Sequence, residues 1–126
     1  MKPPIDACHH VAIVVRDAAA ARAFYGELLG LVEVPKPQPM RARGGMWFDG
    51  GIHLGIEADM RPSQKMHPAL VVDDLDALVG KLVAAGYEWK PSPVGDFQGS
   101  SNELPCVQRG HTRDPFGNRI ELIAAM

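Results

Sequence analysis

Cysteine is scarce in this chain: there are two in 126 residues, Cys8 and Cys106. Two thiols do not make the disulfide framework of a small secreted domain, and their spacing matches no zinc motif. Strong charge of one sign is also absent. The net charge is −2 with His neutral, and no long basic run exists, which argues against nucleic acid as a partner. No stretch approaches the roughly 20 apolar residues of a membrane span. The first residues, Met1-Lys2-Pro3-Pro4-Ile5-Asp6, lack the apolar h-region of a secretion signal, so a cytoplasmic location is expected.

What remains is an ordinary soluble composition, 46% hydrophobic and 22% charged. The length suits one domain, residues 1–126, and a chain of this size buries roughly two-thirds of its unfolded surface. Five histidines stand out: His9, His10, His53, His67 and His111.

The chain repeats itself. His10-Val-Ala-Ile-Val-Val-Arg-Asp17 resembles His67-Pro-Ala-Leu-Val-Val-Asp-Asp74, with identities at positions 10/67, 12/69, 14/71, 15/72 and 17/74. Each segment reads as a strand followed by Asp, a good helix N-cap. A helical pattern follows each Asp. Ala21, Phe24, Tyr25 and Leu28 recur in the first half, and Leu75, Leu78, Val79, Leu82 and Val83 in the second. Gly30 and Gly86 are placed to close these helices. Near the ends of the halves, Asp49-Gly-Gly-Ile-His-Leu54 matches Asp114-Pro-Phe-Gly-Asn-Arg-Ile-Glu-Leu122, a turn feeding a strand in both. The reading is therefore two modules, about 6–60 and about 67–126, joined by Arg61–Met66. Each module is strand, helix, then two or three strands. Pro35–Pro39 reads as a stiff loop, and the Gly/Ser-rich stretch Val94–Pro105 as a substrate-facing one.

Strand parity then sorts the polar residues, because side chains alternate faces along a strand. His10 shares a face with Ala12 and Val14, and His67 with Ala69 and Val71. His53 opposes Ile52 and Leu54, and Glu121 opposes Ile120 and Leu122. If a pseudo-twofold axis relates the modules, three imidazoles and one carboxylate converge on one concave face. Arg109 and His111 share a strand face and are expected to line the same cavity. His9 has the opposite parity and is expected to stand aside.

These motifs, with Phe24-Tyr-Gly-Glu-Leu-Leu-Gly30 at the end of the first helix, resemble the vicinal oxygen chelate superfamily. That group includes glyoxalase I, methylmalonyl-CoA epimerase, extradiol dioxygenases, and fosfomycin- and bleomycin-resistance proteins. The resemblance implies an α+β fold of two tandem βαβββ modules, forming a curled mixed sheet around a cleft. It also implies a homodimer. By position it carries metal ligation onto His10, His67 and Glu121. His53 falls where glyoxalase-like members carry a carboxylate or amide ligand, which is a departure, and it is expected as a fourth ligand. The metal set is compatible with Zn²⁺, Ni²⁺, Fe²⁺, Co²⁺ or Mn²⁺.

The leading expectation is a metal-dependent lyase or isomerase. Its metal would chelate vicinal oxygens of a small substrate and stabilise an enolate or enediolate. Glu121, His53 and His111 are the candidate catalytic groups, and Arg109, His111, Trp47 and Phe97 the candidate substrate contacts. An alternative is Fe²⁺ extradiol chemistry on the two-His-one-carboxylate set His10, His67 and Glu121. A further alternative is a metal-free module that sequesters a drug, disfavoured because aromatics are only 6% and because it leaves the histidines and Glu121 without a role.

Overall fold

A computed structural model describes residues 7–94 and 106–125. The chain divides into two compact units, Met1–Met60 and Arg61–Met126, and each builds its own four-stranded mixed sheet with a helix. The architecture is thus α+β, with the two βαβββ modules in tandem. Phe97 and most of the Val94–Pro105 loop lie outside the described residues. No helix among the described residues is long and apolar enough to cross a membrane.

In the first unit, β1 (Val11–Val15) pairs in parallel with β4 (Ile52–Ile56). The antiparallel strands β3 (Met46–Phe48) and β2 (Glu33–Val34) complete the order β1-β4-β3-β2. Asp17 caps the helix as expected, its carboxylate accepting from the Ala20 amide at 2.8 Å. The first turn, α1 (Ala18–Ala21), then widens into a π-helical stretch, Arg22–Leu28. Its i→i−5 character shows in the bond from the Leu29 amide to the Phe24 carbonyl, 2.9 Å. Apolar periodicity did not foretell this widening, since the same residues still face inward: Ala21, Phe24 and Tyr25 are buried. They pack with Ile13, Val15, Met46, Phe48, Ile52 and Leu54, all buried. The alternate residues Ala12, Val14, Trp47 and His53 line the other, open face.

The second unit repeats the plan. β5 (Ala69–Val71) runs parallel to β8 (Arg119–Ala125), followed by β7 (Cys106–Arg113) and β6 (Lys90–Ser92), order β5-β8-β7-β6. Asp74 caps α2 (Leu75–Ala84) by accepting from the Ala77 amide at 3.1 Å. Leu75, Leu78 and Leu82 are buried, and α2 packs on β8. Val83, expected on the same stripe, is instead 56% exposed. At 100° per residue it lies about 80° from Leu75 around the helix, beyond the buried face. Between β7 and β8 the buried Asp114 holds the turn. Its carboxylate accepts from the amides of Phe116 (2.9 Å) and Asn118 (2.8 Å) and from Asn118 Nδ2 (2.8 Å). That turn sets the β7–β8 register, which places His111 opposite Glu121 and Arg113 opposite Arg119.

Candidate metal centre

Three side chains meet on the open face of the second sheet. Glu121 stands on β8 between two neighbours in register, Ala69 of β5 and His111 of β7. His67 lies two residues before Ala69, in chain held beside β8 by the Glu121 amide, which donates to the Pro68 carbonyl at 3.0 Å. His67 Nε2 is 2.9 Å from Glu121 Oε1, and His111 Nε2 is 3.3 Å from the same oxygen. The Glu121 side chain is only 6% exposed, while His111 and His67 are 12% and 26% exposed. Each of the three residues offers one ligand atom, and these atoms lie within 4.8 Å of one another.

The outer hydrogen bonds fix what those nitrogens present. His67 Nδ1 is 2.6 Å from the Lys65 carbonyl, which can only accept, so Nδ1 carries the proton. His111 Nε2 accepts from Arg119 Nη2 at 2.9 Å, because a guanidinium can only donate. Its proton therefore sits on Nδ1 and is donated to Ser92 Oγ at 3.1 Å. In the neutral rings both Nε2 atoms carry a lone pair beside Glu121 Oε1; that of His111 is taken by the Arg119 N–H, while that of His67 meets the carboxylate oxygen directly. An acceptor facing an acceptor needs a proton or a cation between them. A backbone carbonyl or hydroxyl on the far ring nitrogen is also the usual support of a metal-ligating His. The residues present therefore fit a divalent metal held by two imidazoles and one carboxylate.

Two arginines flank the group. Arg109 Nη1 reaches Glu121 Oε2 at 3.3 Å, and its Nε donates to the Pro93 carbonyl at 2.7 Å. Burial pushes the His111 pKa below its ordinary value, and the neighbouring Arg119 charge pushes the same way, against an opposing pull from Glu121. Of the expected residues, His67, Glu121, His111 and Arg109 are thus brought together. Ser92 and Arg119 were missed, because their roles depend on which strand pairs with which.

The first unit carries the equivalent arrangement with different chemistry. Register sets His53 beside Ala12 of β1 and Trp47 of β3. The His53 ring is stacked between His10, at 4.2 Å between centroids, and Trp47, at 4.0 Å. Gly51 makes this possible. Its φ of 81° favours glycine, and a Cβ there would lie 2.7 Å from the His9 carbonyl oxygen. The chain can therefore approach residues 9 and 10 closely, and Val11 N donates to the Gly51 carbonyl at 2.8 Å. Burial first, then the nearby His10 and His9, lowers the His53 pKa. His9 does not stand aside as parity suggested: its Nδ1 is 3.0 Å from His10 Nδ1, with the rings edge to face. Both residues precede the first paired residue, Val11, so strand alternation does not govern them.

Residues 7–122 match the Glyoxalase/Bleomycin resistance protein/Dioxygenase superfamily. No curated protein sequence matches the chain. Among solved structures, a glyoxalase family protein from Bacillus anthracis is 35% identical, covers 100% of both chains and superposes with a TM-score of 0.79. A glyoxalase family protein from Enterococcus faecalis is 26% identical over 93% of this chain and 96% of its own, TM-score 0.66. A variant of the fosfomycin resistance protein FosX from Listeria monocytogenes, complexed with Mn(II) and 1S,2S-dihydroxypropylphosphonic acid, shares the fold. It is 18% identical over 97% of this chain and 94% of its own, TM-score 0.72. With the family match spanning almost the whole sequence, this chain belongs to the glyoxalase/bleomycin resistance protein/dioxygenase superfamily.

Proposed function

We propose that this chain is a divalent-metal-dependent lyase or isomerase acting on a small substrate with two neighbouring oxygens. One observation carries the reading: two imidazole Nε2 atoms, on rings each held through Nδ1 by an outer hydrogen bond, lie 2.9 and 3.3 Å from one oxygen of a nearly buried carboxylate. His67, His111 and Glu121 would hold the metal. When bound, the metal acts as a Lewis acid toward substrate oxygens and so eases loss of a neighbouring proton. Glu121 Oε1 turns toward the imidazoles, while Oε2, which accepts from Arg109, would take that proton. His53, with its lowered pKa, is a neutral imidazole at neutral pH, fit to accept a proton. FosX, of the same fold, supports the reading by binding Mn(II) together with a small vicinal diol.

Metal analysis tests it. Purified protein is expected to hold about one divalent ion per chain, with the loss on Glu121→Gln exceeding the 10–100-fold typical of outer-partner changes. No stoichiometric metal, and no uptake of added Zn²⁺, Ni²⁺, Fe²⁺, Co²⁺ or Mn²⁺, would refute the proposal. The same titration on His10→Ala and His53→Ala tests whether these two also ligate. Isomerisation of a methylglyoxal–thiol adduct is the expected activity. The second reading is Fe²⁺ ring-cleaving chemistry, favoured by the two-His-one-carboxylate donor set, and oxygen uptake with catechols marks it. We also propose a homodimer, to be read by sedimentation.

A further inference from the structure

Next to the donor group, on the same open face of the second sheet, lies a cavity of about 290 Å³. Glu88, Lys90, Ser92, His111, Arg113 and Arg119 line it. The register explains the gathering, since Lys90 pairs with His111 and Arg113 with Arg119. Three cations thus face one carboxylate. Glu88 is shared by two of them, Lys90 Nζ at 3.3 Å and Arg113 Nε at 3.6 Å. Arg113 also donates to the Gly117 carbonyl at 2.9 Å. Arg119 is different. Among the described residues it has no carboxylate partner, and its bond to His111 Nε2 goes to a neutral acceptor.

A half-buried guanidinium that meets only an imidazole lone pair, with two further cations beside it, is a site seeking an oxyanion. Its planar fork of donors matches the geometry of carboxylate and phosphate oxygens. Ser92 adds a second donor. Its oxygen accepts from His111 Nδ1, which leaves the hydroxyl proton free to point into the cavity. We propose that this cavity binds the oxyanion group of a small-molecule ligand, with Arg119 as the anchor and Ser92 and Lys90 beside it.

This deepens the metal reading by naming the substrate class, an anionic small molecule, but its anchors, Arg119, Ser92 and Lys90, are not metal ligands. The two sites share one atom. The His111 Nε2 lone pair serves either Arg119 or a metal, so metal uptake frees an Arg119 N–H for the anion. Removing Arg119 deletes both a competing donor and a like charge. Metal affinity of R119M is therefore expected to stay level or rise, whereas a merely structural role would lower it.

The test is calorimetric titration of metal-free protein at low salt with inorganic phosphate and, separately, with acetate. Saturable binding of either anion is expected. Replacing Arg119 by Met removes a charge-assisted contact and is expected to weaken binding about tenfold or more. Arg119→Lys keeps the charge without the fork and should fall between. Glu88→Gln releases Lys90 and Arg113 from their carboxylate and should tighten binding. The proposal is overturned if the wild type binds neither anion saturably, or if R119M and E88Q both bind like the wild type. A failed metal reading shows up elsewhere, as absent Zn²⁺ uptake with anion binding intact.

Discussion

Ser92→Ala isolates the contribution of a hydrogen bond that never touches the metal. The hydroxyl accepts the Nδ1 proton of His111 at 3.1 Å and so steadies the ring with Nε2 at 3.3 Å from Glu121 Oε1. Without it, the Nδ1–H loses its partner and the ring is held less firmly, although Arg119 on Nε2 still keeps the proton on Nδ1. Outer partners of ligating histidines are worth about 10–100-fold in metal affinity, or about 1.4–2.7 kcal/mol. The His111 side chain is 12% exposed, so water replaces part of the lost bond, and the lower end, about tenfold, is expected. The fold should hardly notice. Ser92 ends an edge strand, and the cost should be below about 1 kcal/mol, or about 4 °C in Tm. The assay is Zn²⁺ competition against a chromophoric chelator, with Ser92→Thr expected to recover the wild-type affinity. A Ser92→Ala protein that folds normally and binds Zn²⁺ as tightly as the wild type refutes the argument that Ser92 orients the ring.

Other perturbations test the frame around the site. Asp114→Ala removes three hydrogen bonds from the turn that sets the β7–β8 register and is expected to cost about 3 kcal/mol or more, read as a lowered urea midpoint. Gly110→Ala would place a Cβ 2.5 Å from the Trp89 ring and 2.7 Å from the Lys90 carbonyl oxygen. The ring can shift but the backbone cannot, so a loss of about 2–3 kcal/mol is expected in thermal unfolding. His53 gives a pH signature in metal-free protein. Its pKa is lowered on folding, so the unfolded chain takes up the proton first. The contribution is intact above the ordinary imidazole range and is lost as pH falls through that range toward the folded value. Stability should therefore fall as pH drops through and below the ordinary imidazole range, with a shallower slope in His53→Gln.

The local features were legible in the sequence because their causes are local. Asp17 and Asp74 cap their helices, the repeat marked both modules, and alternation put His53, Glu121, Arg109 and His111 on the open faces. What was missed depends on pairing. His111 was expected as a catalytic and substrate-contacting group in the same cavity, and its place in register with Glu121 follows only once Arg113 pairs with Arg119 across the Asp114–Asn118 turn. The turn residues were in view, and counting outward from that closing pair would have found it. Arg119 and Ser92 lie at the same remove. The π-helical stretch, Arg22–Leu28, had no signal at all, because a period of inward residues does not distinguish it from an α-helix.

The stacking of Trp47 on His53 also makes the protein its own reporter. The chain has two tryptophans, and each unit holds one. Trp47 lies flat against an imidazole, with an interplanar angle of 4°. Trp89 packs against Gly110, next in sequence to His111. In Trp89→Phe the emission comes from the first unit alone, and in Trp47→Phe from the second alone. The melting of each module, and the arrival of ions or ligands near each set of histidines, can then be followed by fluorescence without an added dye.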